Sequence, residues 1–282
     1  MPPRRLRLDA ELVRRGLARS REHAAELIAA GRVTVNAQPA SKPATGVTTD
    51  ADLVVRQDPD QPDYVSRGGH KLAGALAAFG PAAFGPAGLE VAGRRCLDAG
   101  ASTGGFTDVL LRAGAAEVVA VDVGYGQLAW SLQSDPRVRV HDRTNIRELS
   151  TETIGGPVDL VVGDLSFISL RLVLDALLGV TAPDGDLALM VKPQFEVGKE
   201  RLGRGGVVRD PALRAEAVTA VADAAAERGW GAIAVAVSPL PGPSGNVEFF
   251  LWLRRGEPAI TAADIEAEAG RSGSAGVPGE RL

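Results

Sequence analysis

One stretch constrains the fold more than any other: Cys96-Leu-Asp-Ala-Gly-Ala-Ser-Thr-Gly-Gly-Phe-Thr-Asp108. An apolar strand ends in an acid, Asp98, and runs at once into a glycine-rich turn from Gly100 to Gly105. Phe106, Val109, Leu110 and Ala113 then recur at helical spacing. Strand, glycine turn and helix are the first unit of a Rossmann-like sheet. Glycines let the backbone approach a ligand closely, and the free N–H groups at a helix start favour a negative group. The same pattern also serves merely to make a tight strand-to-helix corner.

Two details narrow the ligand. Gly100-Ala-Ser102-Thr-Gly104 is a poor dinucleotide fingerprint and has methyltransferase-like spacing. Asp98 would also sit close to a pyrophosphate, which is electrostatically wrong for NAD but suits the ammonium of S-adenosylmethionine. The expected cofactor is therefore S-adenosylmethionine, with Asp98, Gly100, Ser102, Thr103, Gly104, Gly105 and Phe106 around it. Asp122, in Val121-Asp122-Val123-Gly124, lies at the end of the next strand. An acid there accepts from both ribose hydroxyls of a nucleoside, with Val123 beside it. A helix cap is the plainer alternative for Asp122. Asp142, after a third strand, could accept from the adenine amino group or pair with Arg143.

The 282 residues allow one large domain and a small one, and 45% apolar content is ample for a core. No apolar run approaches the ~18–20 residues that cross a bilayer. Met1-Pro-Pro-Arg-Arg5 is not followed by the apolar core of a signal peptide. Cys96 is the single cysteine, which leaves no disulfide framework or cysteine zinc site, and no metal is expected; a reducing cytoplasm is the expected home.

The net charge of −4 hides an asymmetry. Residues 1–35 carry Arg4, Arg5, Arg7, Arg14, Arg15, Arg19, Arg21 and Arg32 against only Asp9, Glu11, Glu22 and Glu26. A basic end on an acidic chain points to an anionic partner. Lysine is scarce, at Lys42, Lys71, Lys192 and Lys199, so each lysine raises the question of whether Arg would fail there.

Along the chain, residues 8–15 read as a short helix closed by Gly16, and Ser20 caps a second that ends at Gly31. Arg32-Val-Thr-Val-Asn36 and Leu53-Val54-Val55 read as strands. Such a module, residues 1–57, resembles the alpha-L RNA-binding domain of a ribosomal small-subunit protein and of pseudouridine synthases. Ser20-Arg-Glu-His-Ala, Leu27-Ile-Ala-Ala-Gly-Arg-Val and Val35-Asn36 carry the likeness. Its eight arginines are expected to meet RNA phosphates, although a solvated charged face is the bland reading of any one of them. The Pro- and Asp-rich stretch 58–66 reads as a linker, 67–255 as the catalytic domain, and 256–282 as a mobile tail.

From Cys96 onward strands and helices alternate. Seven strands, the last two joined as a hairpin, describe an α/β fold: a class I Rossmann-like methyltransferase sheet with its last strand antiparallel. Asp164 ends the strand Leu160-Val-Val-Gly163, Lys192 ends Leu187-Ala-Leu-Met-Val191, and Glu248 precedes Phe249-Phe-Leu-Trp-Leu253. Ligands of open parallel sheets bind at the carboxyl ends of the strands, and an antiparallel strand starts on that same rim. If strands four, five and seven are neighbours, the three charges stand on one rim at ~4.8 Å spacings. Three independent surface charges are the alternative.

The combination Arg67-Gly-Gly-His-Lys71, Asp98 to Asp108, Asp142-Arg-Thr-Asn145, Asp164-Leu-Ser-Phe-Ile-Ser169, Lys192-Pro-Gln-Phe-Glu196 and Gly245-Asn-Val-Glu248 is similar to the TlyA (hemolysin A) family. The resemblance spans residues ~5–255 and implies an FtsJ-like ribosomal RNA 2′-O-methyltransferase acting on cytidine ribose in small- and large-subunit rRNA. It further implies a Lys-Asp-Lys-Glu tetrad, here Lys71, Asp164, Lys192 and Glu248. That enzyme must align oxygen, methyl and sulfur and accept one proton. Other family members often carry Glu where this chain has Asp142. Base-nitrogen methylation would need an Asn/Asp-Pro-Pro-aromatic turn after strand four, where Asp164-Leu-Ser-Phe stands. Cytosine C5 methylation would need a rim cysteine. Two rival readings remain: a non-catalytic rRNA-binding or ribosome-assembly factor, and a membrane-lytic hemolysin, for which no amphipathic or spanning segment stands out. Ribosomal RNA is the expected partner, with no membrane and no protein partner.

Overall fold

The computed structural model describes residues 5–18, 20–56 and 63–271. The chain divides into two compact units, residues 1–65 and 66–282.

In the smaller unit, helix Leu8–Arg14 buries Leu8 and Leu12, and Gly16 closes it with a left-handed φ of 70°. Ser20 caps helix Arg21–Ala29, its hydroxyl accepting from the His23 N–H at 3.1 Å. Val33–Val35 pairs antiparallel with Leu53–Val55 and with Gln38–Pro39, while Leu6–Arg7 pairs with Gly46–Val47. Leu8, Leu12, Ala24, Leu27, Ile28, Val33 and Leu53 form its core. Asp63, read from sequence as linker, belongs to this unit. Its carboxylate receives Arg32 at 2.6 Å. Residues 58–62 of that expected linker lie outside the described residues.

The larger unit is built on seven strands: β1 Arg95–Ala99, β2 Glu117–Val121, β3 Val138–His141, β4 Val158–Gly163, β5 Thr181–Val191, β6 Trp230–Val237 and β7 Phe249–Arg255. They lie in the order β6-β7-β5-β4-β1-β2-β3. Only β7 runs against its neighbours, with Val191 opposite Phe249. Strands four, five and seven are therefore adjacent. The central strands are continuous apolar runs because helices cover both faces. Five helices matter here: α1 Gly68–Phe79, α2 Gly105–Arg112, α3 Leu174–Val180, α4 Pro211–Ala226 and α5 Ala262–Arg271. Pro211 at the first turn and Asp210, whose carboxylate accepts from the Ala212 N–H, start α4.

Helix α5 corrects the expectation of a mobile segment from 256 onward. Ile265 and Ala269 are buried in the core that includes α4, and Glu268 accepts from the Val237 N–H at 3.0 Å. Alanines allow close helix–helix approach with few large apolar residues, so the segment looks apolar-poor in sequence. Residues 272–282 lie outside the described residues.

Candidate active site

The glycine turn between β1 and α2 is shaped by close approach. Gly104 sits at φ 96°, and a Cβ there would fall 2.2 Å from Leu132. A Cβ on Gly105 would fall 2.3 Å from the Ser66 hydroxyl and 2.8 Å from the Gly69 nitrogen. Any side chain at 105 would push the start of α1 off the turn. Asp122, just past β2, accepts from the Ser102 N–H and the Gly124 N–H, both at 2.7 Å, and so fastens the turn to the second strand.

A cleft opens along the carboxyl rim in three joined lobes. The first, about 470 Å³, is walled by Gly100, Ser102, Asp122, Val123, Asn145, Ile146, Asp164 and Phe167, among others. The second, about 220 Å³, is walled by Ser66, Gly68, Gly100, Ser102, Thr103, Gly105, Phe106, Asp164 and Ser166. The third, about 300 Å³, is walled by Ser166, Phe167, Lys192, Gln194, Phe195, Gly206, Ser244 and Glu248, with others. Asp164 belongs to the first two lobes, and Ser166 to all three.

The four charged residues singled out in the sequence converge on this rim as two ion pairs. Lys71 Nζ stands 2.5 Å from Glu248 Oε2, and Lys192 Nζ stands 2.6 Å from Asp164 Oδ1. Lys192 also donates to the Ser166 hydroxyl at 2.8 Å, and Gln194 donates to Glu248 Oε1 at 3.2 Å. Glu248 is 1% exposed and both lysines 7%. Charges this deep are retained only when paired. Of the two cations, Lys192 faces the third lobe, whereas Lys71 reaches it only through Glu248.

Other assignments shift. Asp98 walls no lobe: it is fully buried, with one oxygen accepting from Thr107 Oγ1 at 2.7 Å and the other unpartnered. Burial pushes its carboxyl up to about 7, only partly offset by the Thr107 bonds. Its place inside the strand, one residue short of the end, puts it under α2 rather than in the cleft, so the expected direct contact with an ammonium is replaced by support of the turn. Asp142 also stands off the wall; it accepts from the Gly126 N–H at 2.9 Å, and Asn145 takes the wall position. Cys96 is fully buried, and burial pushes its thiol up to about 12, which removes it as a nucleophile.

The basic residues of the smaller unit are less available than their number suggests. The Asp9 carboxylate receives Arg7 at 2.9 Å and Arg21 at 3.0 Å; the Arg7 hydrogen bonds, against the cost of burial, hold it down at about 2. Glu11 receives Arg14 at 2.6 Å and Arg15 at 2.8 Å and is likewise held at about 2, chiefly by Arg14. Arg15 also donates to the Ala51 and Thr49 carbonyls, and Arg32 to the Arg56 carbonyl and Asp63. These two hold the fold together. Arg7, Arg14 and Arg21 stay half-exposed, and Arg5 is exposed with no carboxylate among the described residues. Arg4 and Arg19 lie outside the described residues.

Three residues that line or support the cleft escaped sequence reasoning. Phe167 is 91% exposed at φ 64°, a strained conformation for a bulky residue, with its ring 5.4 Å from Phe195. Glu196 ties the loop after β4 to the loop after β5: it accepts from the Ser169 hydroxyl at 2.6 Å and the Leu170 N–H at 2.7 Å. Asn246 accepts from the Val208 N–H and donates to the Gly206 carbonyl. Only the position of Glu196 and Asn246 inside polar motifs hinted at them.

Comparison with known proteins accords with this geometry. The FtsJ-like methyltransferase profile matches residues 64–255, and the S4 domain profile matches residues 6–53. The chain is 61% identical to the 16S/23S rRNA (cytidine-2′-O)-methyltransferase TlyA of Mycobacterium tuberculosis, over 97% of this chain and 99% of that one. It is 33% identical to hemolysin A of Brachyspira hyodysenteriae, over 86% of this chain and 98% of that one. A solved structure from Streptococcus thermophilus bearing the name hemolysin superposes with a TM-score of 0.70 at 34% identity, covering 95% of this chain and 96% of that one. Among the described residues no helix is long and apolar enough to cross a membrane.

Proposed function

Since this chain belongs to the FtsJ-like methyltransferase family, together with the TlyA proteins, we propose that it methylates ribose 2′-hydroxyls of cytidine in ribosomal RNA with S-adenosylmethionine as donor. The observation that carries this reading is the two ion pairs of the rim: Lys192–Asp164, whose partners wall the third lobe and the first two, and the buried Lys71–Glu248, whose carboxylate walls the third. The residues present fit the cofactor. Asp122 offers a carboxylate on the wall of the first lobe, and Asp164 Oδ1, though close to Lys192, has no aligned hydrogen bond. Asp122, Val123 and Asn145 would hold the nucleoside end, and Gly100, Ser102, Thr103, Gly105 and Asp164 the amino-acid end. When bound, S-adenosylmethionine supplies an electrophilic methyl group.

The chain's own residues then have two tasks. The first is to place an acceptor. The third lobe, with the Phe167 and Phe195 rings at its mouth, suits a splayed nucleotide whose base stacks on an aromatic face. The second is to take the hydroxyl proton. Lys192 is the amine on the acceptor side, held by Asp164 and Ser166 so that its nitrogen cannot swing away; it takes the hydroxyl proton after its ammonium has passed one of its own to water or to Asp164. Lys71, behind Glu248, fixes that carboxylate, which in turn orders Gln194 at the lobe's edge. Glu196 positions the Asp164–Ser169 loop against the loop bearing Lys192.

The test is Lys192→Arg, which keeps the charge but cannot release its proton near neutral pH. Single-turnover methylation of ribosomal subunits by this variant should fall at least ~10²-fold, with cofactor and RNA binding near normal, because the defect lies in the transition state. Lys71→Arg should be milder. A Lys192→Arg protein working at wild-type rate removes the proton-acceptor role. Loss of no 2′-O-methyl mark from rRNA on deletion of the protein removes the reading itself.

A further inference from the structure

The two lysines of the rim are held in different ways. Lys71 Nζ donates to Glu248 Oε2 at 2.5 Å in an aligned bond, so a buried carboxylate fixes both its place and its direction. Lys192 Nζ is 2.6 Å from Asp164 Oδ1, yet that contact makes no aligned hydrogen bond. The aligned bond of Lys192 goes instead to a neutral group, the Ser166 hydroxyl, at 2.8 Å. Among the described residues it is the only one this nitrogen makes.

Charge attraction alone has little direction, whereas a hydrogen bond weakens steeply when it is bent. An amine turns about its Cε–Nζ bond unless one of its N–H groups is fixed. With one N–H on Ser166, tetrahedral geometry sets where the other two positions on the nitrogen point. A neutral amine carries its lone pair at one of them. The hydroxyl imposes this direction without adding an anion, and a further anion would tighten the lysine's hold on its proton.

Ser166 is placed for this task and held in place. It walls all three lobes, so it stands where the cofactor lobes meet the acceptor lobe. Its loop is tied at both ends. The Asp164 N–H donates to the Ala99 carbonyl at the end of β1, at 3.1 Å. At the other end Glu196, closing the turn Pro193–Glu196 that follows Lys192, accepts from the Ser169 hydroxyl at 2.6 Å and the Leu170 N–H at 2.7 Å. Phe167, next to Ser166, keeps a φ of 64°, a strained backbone that persists only where the surroundings over-determine it. The serine and the lysine are thus fixed to one another through their loops as well as through their own bond.

We infer that Ser166 is a positioning residue that aims the Lys192 amine, pointing its lone pair at the acceptor hydroxyl, while Asp164 supplies the charge that balances the ammonium formed. This rests on Lys192 as the proton acceptor in 2′-O-methylation. In that step the proton passes from the hydroxyl to Nζ, the oxygen takes the methyl group, and sulfur keeps the electron pair of the bond that breaks. Ser166 gives up and gains no atom. Its effect on rate therefore exists only while residue 192 accepts the proton.

A double-mutant cycle on the full-length chain tests this: wild type, Ser166→Ala, Lys192→Arg and the double variant, each in single-turnover methylation of purified ribosomal subunits at saturating S-adenosylmethionine. Ser166→Thr, which keeps the hydroxyl, is the rescue variant. Ser166→Ala should lower the rate at saturation at least ~10-fold, the scale on which misorientation acts. Its affinities for cofactor and subunits and its thermal melting should stay at wild type, which a merely structural role would not allow. Ser166→Thr should recover most of the rate. In the Lys192→Arg background the same Ser166→Ala change should cost less than ~2-fold, because an arginine that keeps its proton has no lone pair to aim. The inference is overturned by a Ser166→Ala protein at wild-type rate, by the same fall in both backgrounds, or by a threonine variant as slow as alanine with normal affinities. A Lys192→Arg protein at wild-type rate overturns the proton-acceptor reading instead. Subunits left unmethylated by the wild-type chain overturn the ribosomal-RNA reading itself.

Discussion

The two rims of the seven-stranded sheet use the same residue types for opposite ends. At the closed rim Asp186 is fully buried and wholly satisfied, receiving Arg94 at 2.6 Å, Trp252 Nε1 at 2.8 Å and Arg254 at 2.8 Å. At the open rim charge is also buried, but satisfaction is incomplete. Asp98 Oδ1, Asp164 Oδ1 and Gln194 Oε1 are the buried side-chain polar atoms without an aligned hydrogen bond among the described residues; Asp164 and Gln194 wall the cleft, the first of them ion-paired with Lys192, while Asp98 lies beneath α2. Buried polar groups are ordinarily paired, and an exception calls for a reason. Satisfied burial gives rigidity; unsatisfied burial next to a cleft marks where a ligand completes the network. The distinction lies in what each charge faces, not in which residues are present.

The largest effect expected on this comparison is at the closed rim. Asp186→Ala strands the Trp252 N–H in the core and leaves Arg94 and Arg254 without their shared acceptor. Breaking a buried pair from one side costs about 3–5 kcal/mol. Denaturant unfolding should show that loss, while the cofactor affinity of the folded fraction stays unchanged. A variant as stable as wild type would mean that the two rims do not differ in the way described.

Asp98 lies between the rims and sharpens the comparison through pH. Its folded carboxyl is pushed up to about 7 by burial, with Asp164 and Asp122 adding to the rise and Thr107 opposing it. A carboxyl whose folded pKa exceeds its ordinary 3.8 binds its proton more tightly in the native state. The contribution of this carboxyl to stability is therefore greatest below about pH 4 and declines as pH climbs to about 7, where the penalty is complete. At 1.36 kcal/mol per unit the full span is on the order of 4 kcal/mol. Asp9 and Glu11, held at about 2, act in the opposite sense, and their contribution is lost only below about pH 4.5. Asp98→Asn keeps an acceptor for Thr107 and cannot ionise. The difference in unfolding free energy between wild type and Asp98→Asn should fall across pH 4–7 and level above it. A flat difference would show that Asp98 stays ionised throughout.

The contrast between the rims also explains what could be read from the chain alone. Asp164, Lys192 and Glu248 were legible because each is a charge abutting an apolar strand, and the strand order that unites them follows from the alternation of elements. Lys71 was legible only through the family resemblance, since it stands on the second turn of a helix with no strand to place it. The arginines of the smaller unit show the limit most clearly. Their number was visible, but whether Arg15 faces a phosphate or the Ala51 carbonyl depends on a residue 36 positions away. Asn246 and Glu196 were missed for the same reason: their partners lie in other loops. Helix α5 was misread because its buried face is made of Ile265 and alanine, too little apolar volume to register as a pattern.

The smallest expected effect distinguishes two neighbours on the open rim, Asp142 and Asn145. The Asp142 carboxylate accepts from the Gly126 N–H and walls no lobe, while Asn145 walls the first lobe and has its own oxygen on the Arg147 N–H at 3.1 Å. Asp142→Asn preserves an acceptor for Gly126 and removes only the charge. If the carboxylate accepted the adenine amino group, losing a charge-assisted bond would weaken S-adenosylmethionine by more than about 1 kcal/mol. The geometry instead predicts a change of no more than about 0.3 kcal/mol, because Asp142 accepts from the Gly126 N–H and walls no lobe. Asn145→Ala should cost about 1 kcal/mol, through a lost polar contact and a looser turn. Arg147→Ala, one position beyond the wall, should leave cofactor affinity untouched and act only on RNA. Calorimetry on the three variants separates these outcomes. A larger loss for Asp142→Asn than for Asn145→Ala would return the adenine to Asp142 and require the loop to close around the cofactor.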